Sequence, residues 1–118
     1  MSAPITIRLL QQSRKLIVEY ADGSNFELSA EYLRVNSPSA EVKGHGPGQA
    51  VLQTGKENVN IQEIAPVGQY AVRLCFDDGH DTGLYSWDYL YQLGKNYQAN
   101  WQGYLQALQE AGYQRKER

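Results

Sequence analysis

Cysteine is almost absent from this chain of 118 residues, and that scarcity excludes whole classes of site. A single cysteine, Cys75, cannot form an internal disulfide, and one thiolate cannot hold an iron–sulfur cluster, which takes about four ligands. No apolar run is long enough to span a membrane, and the N-terminus lacks the basic and then apolar segments of a signal peptide. We therefore expect a cytoplasmic protein with no membrane partner.

Positive charge is scarce as well. The formal net charge is −2 and the pI is about 5.6, whereas nucleic-acid-binding domains are usually basic. The one basic cluster lies at the C-terminus, in Arg115–Arg118, and predicts a flexible basic tail over residues 113–118. We expect a single domain over residues 1–118, monomeric and without a nucleic-acid partner.

Motifs for catalysis are missing too. There is no Gly-x-Ser-x-Gly nucleophile elbow. The segment that begins at Ala50 resembles a phosphate-binding loop only faintly, because Ala50 replaces a required glycine and Glu57 replaces a required hydroxyl. Asp77 and Asp78 are adjacent, so in an extended chain they point to opposite sides and cannot act together on one substrate. The sequence therefore argues against an enzyme.

What the chain does contain is the alternation of apolar and polar residues that is typical of β-strands. The predicted strands are residues 5–9, 15–20, 25–28, 59–64, 70–76 and 83–85. The first three predict an antiparallel meander, because Asp22-Gly23 is a strong turn signal between the second and the third. A Gly-rich polar stretch over residues 43–58 predicts a long loop.

Helical signals follow the strands. A short turn of helix is predicted after Ser29, and two helices close the chain. Ser86 and Asn100 are the predicted N-caps of these two helices, and Gly94 is expected just beyond the end of the first. We predict an α+β fold in which an antiparallel, partly barrel-like β-sheet carries two short C-terminal helices packed on it.

Metal-ligating side chains gather at the turn that follows Phe76. His80 stands there between Asp78 and Asp81, and the other histidine, His45, lies in the Gly-rich loop. Imidazole and carboxylate groups bind zinc or iron, but two histidines form a site only if the loop brings them together. A metal-binding protein that uses His45, His80, Asp78 and Asp81 therefore remains an open alternative.

Three segments of the chain resemble the family named for the N-terminal domain of gamma-butyrobetaine hydroxylase. They are Leu33–Glu41, the GHGPGQ segment at residues 44–49, and residues 76–94. The resemblance extends from the first strand to Gly94. Within the family, the chain is similar to the small stand-alone bacterial members. It implies a small β-rich domain. The catalytic iron and 2-oxoglutarate domain of the hydroxylases has no counterpart in these residues, so the resemblance does not imply hydroxylase activity.

The resemblance also bears on a metal. In the hydroxylases this domain holds a structural zinc with three cysteines and one histidine, and the matching positions here are Ser37, Ser39, Val42 and His80. Only His80 keeps the ligand, so we expect no bound cofactor, with zinc or iron as the alternative if new ligands are recruited. In place of the zinc we expect His80 to form a hydrogen bond with the hydroxyl of Ser37 or Ser39 or with a backbone carbonyl.

These observations favour a non-enzymatic binding or adaptor domain. Similar domains are fused to Mrp-type P-loop ATPases that act in iron–sulfur cluster assembly, so the resemblance implies a protein partner in that machinery. The predicted interaction surface surrounds the Gly-rich loop and the His80 turn. It consists of Ser37, Ser39, His45, His80, Tyr85, Trp87 and Tyr91.

Overall fold

The computed structural model describes residues 3–44, 46 and 48–116. These residues form six strands and four helices. The strands are β1 (Thr6–Leu10), β2 (Lys15–Glu19), β3 (Asn25–Ser29), β4 (Ile61–Val67), β5 (Ala71–Phe76) and β6 (Leu84–Ser86). The helices are α1 (Ala30–Val35), α2 (Ala40–Lys43), α3 (Trp87–Lys95) and α4 (Tyr97–Glu110).

The first sheet is the predicted meander, with strand order β1-β2-β3 and antiparallel pairing throughout. Its second turn contains Gly23 at a φ of +91°, and the Asp22 carboxylate accepts a hydrogen bond from the Ser24 amide at 2.9 Å. Glycine reaches this left-handed region without steric cost, which explains why Asp-Gly specifies the turn. The prediction of a three-stranded antiparallel meander is confirmed.

The second sheet has strand order β4-β5-β6 and is also antiparallel. Side chains alternate along β5, so Val72, Leu74 and Phe76 are buried while Cys75 is half-buried on the opposite face. The sheet thus turns one apolar face toward the core. Its central strand also ends at the turn that carries His80.

The α+β prediction is confirmed, and helices α3 and α4 lie at the C-terminal end of the described chain. The strands nevertheless form two three-stranded sheets, and the described residues do not close a barrel. Both sheets contribute to one buried core, which includes Leu16, Val18, Leu33, Leu74 and Tyr85. Over residues 3–44, 46 and 48–116, no helix has the length and apolar character that crossing a bilayer requires.

Several helix boundaries differ from prediction for non-local reasons. Gly94 lies inside α3, where the Phe26 ring packs against it, so it is not a terminating glycine. Asn100 lies inside α4 and its amide donates to the Tyr32 hydroxyl at 3.0 Å, so it does not cap that helix. Ser86 does cap α3, since its hydroxyl accepts from the Tyr89 amide at 3.1 Å.

Helix α2 was not predicted at all, and its cap explains why it forms. The Ser39 hydroxyl accepts a hydrogen bond from the Glu41 amide at 3.2 Å, which satisfies one donor of a single helical turn. The turn ends at Gly44, whose φ is +79°. This short helix matters because it carries Glu41 and Val42 toward His80 and the loop that follows.

Candidate functional site

A tight turn after β5 directs His80 into the protein. The Phe76 amide donates to the His80 carbonyl at 2.9 Å, and Gly79 adopts a φ of +90°. The Asp78 carboxylate accepts from the His80 amide at 3.1 Å, which fixes the backbone at the tip of the turn. As a result the His80 residue is only 5% exposed.

Both ring nitrogens of His80 have side-chain partners. Nε2 lies 2.8 Å from the Ser37 hydroxyl, and Nδ1 lies 2.9 Å from a Glu41 carboxylate oxygen. An ionised carboxylate only accepts, so Nδ1 donates to Glu41, and in the neutral imidazole Nε2 then accepts from the Ser37 hydroxyl. We call Ser37, Glu41 and His80 the His80 network. The predicted hydrogen bond between His80 and Ser37 is confirmed, whereas the Glu41 contact was not foreseen.

The surroundings of this network are closely packed and polar groups are paired. The Ser39 hydroxyl lies 2.8 Å from that of Thr82, and the Ser39 amide donates to the Ser37 oxygen at 3.3 Å. A Cβ atom added at Gly83 would overlap the Ser37 oxygen, so only glycine fits there. Among the described residues, no buried side-chain nitrogen or oxygen lacks a hydrogen-bond partner.

A serine, a histidine and a glutamate joined in this order have the connectivity of a catalytic triad. A nucleophile must also be reached by its substrate, and Ser37 is 0% exposed. Gly83 lies so close to the Ser37 hydroxyl that even a Cβ atom there would overlap it, so a substrate carbonyl group has no room to approach from that side. The geometry therefore makes Ser37 and His80 a buried hydrogen-bonded pair, which the exposed Glu41 joins from the surface, and it leaves Ser37 inaccessible as a nucleophile.

Asp78 sits at the outer side of the same turn between two cations. Its Oδ2 atom accepts from Arg34 Nε at 2.8 Å and from Lys56 Nζ at 2.6 Å. Burial alone would raise the pKa of this carboxyl, but hydrogen bonds from Lys56, the His80 amide and Arg34 lower the pKa to about 2. Arg34 is itself buried and also donates to the Gln53 side chain at 3.0 Å. Because Arg34 belongs to α1 and Gln53 to the long loop, this hydrogen bond connects the two.

Removing this carboxylate should reduce stability in a pH-dependent way. The folded-state pKa of about 2 lies below the ordinary 3.8, so the stabilisation is complete above the ordinary value and is lost as the pH falls through the folded one. We expect Asp78→Asn to lower the free energy of unfolding by about 2 kcal/mol at neutral pH and by much less near pH 2. Urea unfolding at both pH values measures this, and an equal loss at both would contradict the assignment.

The predicted metal ligands do not converge in the described part of the chain. Both His80 nitrogens are engaged, Asp78 is paired with Arg34 and Lys56, and Asp81 faces Arg73 at 3.8 Å on the surface. His45 lies outside the described residues. Within those residues, no group of three or more histidine, cysteine, aspartate or glutamate side chains is placed to hold a metal ion.

The zinc that the resemblance to the hydroxylases implies also has no matching ligand set among the described residues. Ser37, Ser39 and His80 do meet, but serine hydroxyls are poor zinc ligands and the buried Val42 offers none. The space between Ser37 and His80 is spanned by a direct hydrogen bond of 2.8 Å. The residues present therefore do not fit a zinc ion.

Most of the predicted interaction surface lies in the interior. Tyr85 is 0% exposed because its hydroxyl donates to the Leu33 carbonyl deep in the core. Ser37, Ser39 and His80 are buried by the contacts described above. Trp87 and Tyr91 are half-buried, since the indole N–H donates to the Gln69 carbonyl and the Tyr91 ring packs edge-on against Phe26. The described residues of this predicted surface therefore do not form one accessible patch.

Accessible apolar residues lie instead beside α2. Val51 is 55% exposed and Leu52 is 39% exposed, and the Val51 amide donates to the Val42 carbonyl at 2.8 Å. They border a cavity of about 330 Å³, which we call the α2 groove; it is lined by Val35, Asn36, Val42, Lys43, residues 50–53 and Tyr104. The sequence does contain a signal for this groove, which is the apolar run at residues 50–52 within an otherwise polar loop. The prediction of a long polar loop did not take this run into account.

Comparison with known proteins places the fold in a family. The model of the family described as gamma-butyrobetaine hydroxylase-like, N-terminal, matches residues 7–91. No curated protein matches the chain.

Solved structures agree with this match. One NMR solution structure is 47% identical to the chain with a TM-score of 0.86, and the match covers 100% of this chain and 93% of that one. A second NMR solution structure is 50% identical with a TM-score of 0.83, and the match covers 99% of this chain and 87% of that one. A crystal structure of a protein of unknown function of the DUF971 family, from Acidithiobacillus ferrooxidans, is 44% identical with a TM-score of 0.66, covering 77% of this chain and 91% of its own. This chain therefore belongs to the gamma-butyrobetaine hydroxylase-like N-terminal family.

Proposed function

We propose that this protein is a non-enzymatic binding module that docks a protein partner in the α2 groove. The proposal rests on a contrast between the interior of the protein, where polar groups are buried, and its surface, where apolar groups are exposed. Among the described residues, the arrangement with catalytic connectivity is sealed around Ser37, while apolar side chains stand exposed at Val51 and Leu52, in the loop that follows α2. Exposed apolar residues grouped around a groove are typical of interaction sites.

The α2 groove has the composition of a small docking surface. Val35 and Val42 form its apolar wall, and Tyr104 closes one side with its hydroxyl bonded to the Gln53 carbonyl at 2.7 Å. Lys43 lies at the rim, with its ammonium 5.2 Å from the centre of the Tyr89 ring. An apolar side chain inserted here would be surrounded by a polar rim, as in specific protein interfaces.

The partner class follows from the resemblance rather than from the groove. Because similar domains are fused to Mrp-type P-loop ATPases, we propose an accessory role in iron–sulfur cluster assembly and take such an ATPase as the first partner to test. Direct binding of the two purified proteins, measured by calorimetry, addresses this identity. The docking surface is tested separately, so that a wrong partner does not obscure a correct surface.

Placing charge in the groove should abolish partner binding. We expect the double variant Val51→Glu and Leu52→Glu to lose proteins that wild type captures by cross-linking in a cell extract, because carboxylates cannot be buried unpaired at low cost. Ile5→Glu is the matched control, since Ile5 is 66% exposed and does not line the groove. Capture that survives the double variant, or that is lost in the control as well, would contradict the proposed surface.

A further inference from the structure

The α2 groove has positive charge at its border. Of the described residues that line it, Lys43 alone is charged, and it is exposed. Its ammonium lies 5.2 Å from the centre of the Tyr89 ring, a contact that leaves the charge in place. Among the residues that the structure describes, no carboxylate forms an ion pair with Lys43. This ammonium is therefore available to a carboxylate of a partner.

A second positive region adjoins the groove at Gln53, which is one of its lining residues. The Gln53 side chain accepts a hydrogen bond from Arg34, and Arg34 and Lys56 both donate to the same oxygen of Asp78, at 2.8 and 2.6 Å. Two positive charges thus share one carboxylate, which leaves one positive charge in excess. The Lys56 side chain is 21% exposed, so a carboxylate from outside can reach it.

The other acidic side chains near these cations are engaged away from the groove. Glu41, which lies in α2 with Lys43, contacts His80 Nδ1 at 2.9 Å. Glu57, which follows Lys56, accepts a hydrogen bond from the Tyr113 hydroxyl at 2.8 Å. Neither of the two lines the groove. The local excess of positive charge contrasts with the formal net charge of −2 for the whole chain.

The charge at the border indicates which kind of segment the groove accepts. Complementary charges select partners and fix their orientation, whereas like charges reject wrong ones. We propose that the partner of the α2 groove presents an acidic segment, in which apolar side chains fill the groove and flanking carboxylates pair with Lys43 and Lys56. This inference deepens the proposed function and rests on it, because it names the chemistry of the segment that docks at the same groove.

The test uses three short peptides as probes of the full chain, with binding followed by NMR amide shifts. The acidic peptide is N-acetylated, C-amidated Glu-Glu-Leu-Leu-Glu-Glu. One control has glutamine in place of every glutamate, and the other has serine in place of both leucines. We expect the acidic peptide to shift amides of α2 and residues 50–53 saturably and to bind at least about fivefold more tightly than either control. Salt at about 1 M should remove its advantage over the glutamine peptide, because the screening length falls to about 3 Å.

Reversing one charge locates the effect. Lys43→Glu should weaken binding of the acidic peptide at least about fivefold and leave binding of the glutamine peptide unchanged. Lys43→Gln should give a smaller loss of the same kind. Lys95→Glu is the matched control, since Lys95 is also exposed and lies 5.8 Å from the centre of the Tyr91 ring, but it does not line the groove. It alters the net charge of the chain by the same amount, so the acidic peptide should bind this variant as it binds wild type.

Four results would overturn the inference. They are an acidic peptide that binds no more tightly than the glutamine peptide, a serine peptide that binds equally well, an equal loss in Lys95→Glu, and groove amide shifts that depend on protein concentration without peptide. The second would show a general polyanion site, and the last would show that a second copy is the occupant. Partner capture that is lost in the Val51→Glu and Leu52→Glu variant but kept in Lys43→Glu would leave the proposed docking groove intact and reject only its preference for acidic segments.

Discussion

Replacing His80 with alanine should lower the free energy of unfolding by about 3 kcal/mol, because it empties a filled space and removes two hydrogen bonds at once. The Ser37 hydroxyl, which is completely buried, would lose its hydrogen bond with the His80 ring. Urea unfolding followed by circular dichroism measures the loss. A change below about 1 kcal/mol would show that the His80 network does not hold the fold together.

The neighbouring Asp81 supplies a matched control. It lies one residue away on the same turn but is exposed, and its contact with Arg73 at 3.8 Å is a surface ion pair. Asp81→Ala should therefore change the free energy of unfolding by less than about 0.5 kcal/mol.

Combining His80→Ala with Ser37→Ala should lower the free energy of unfolding by about 1 kcal/mol less than the two single losses added together, because both variants break the same hydrogen bond. Strict additivity would show that the two side chains do not interact.

Substitution of Gly94 by alanine should destabilise the protein by about 2 kcal/mol, although alanine is the better helix former. A Cβ atom at this position would overlap three carbon atoms of the Phe26 ring. That ring is held by edge contacts with Tyr20 and Tyr91, at 6.1 and 5.5 Å between centroids, so it has little freedom to move aside. The resulting strain should exceed the gain in helix propensity.

Gly103 provides the opposite case in the next helix. It lies inside α4, and a Cβ atom there would meet nothing within 4 Å. Gly103→Ala should therefore stabilise the protein by about 0.5 to 1 kcal/mol through helix propensity alone. Thermal unfolding of the two variants side by side tests the argument. Similar shifts in Tm with the same sign would mean that the close approach of α3 to β3 is not what requires glycine at position 94.

Features set by neighbours in sequence were predictable. Asp22-Gly23 specifies its turn through local backbone geometry, and Ser86 caps α3 through an amide three residues away. Gly94 and Asn100 were misassigned because their roles depend on Phe26 and Tyr32, which lie more than 60 residues earlier in the chain. Local propensity carries no information about such partners.

In the candidate site, too, some contacts could be predicted from the sequence and others depend on the tertiary structure. The contact between His80 and Ser37 was one of the partners expected from the resemblance to the family, while Glu41 was missed because α2, which carries it, is a single turn stabilised by the Ser39 cap. The burial of Tyr85 also escaped prediction, since a tyrosine in a short strand reads equally well as surface or core. Which face of β6 is covered depends on α1, and only the tertiary structure shows this.

The hydrogen bonds of Ser37 and Glu41 with His80 lie where the resemblance to the hydroxylases implies a zinc site. The metal content of the untagged protein, purified anaerobically without chelator, tests this most directly. We predict that a well-folded sample contains neither zinc nor iron in stoichiometric amount. Near-stoichiometric metal that disappears in His80→Ala would contradict the account, because it would show that His80 is a ligand and not the centre of a hydrogen-bonded network.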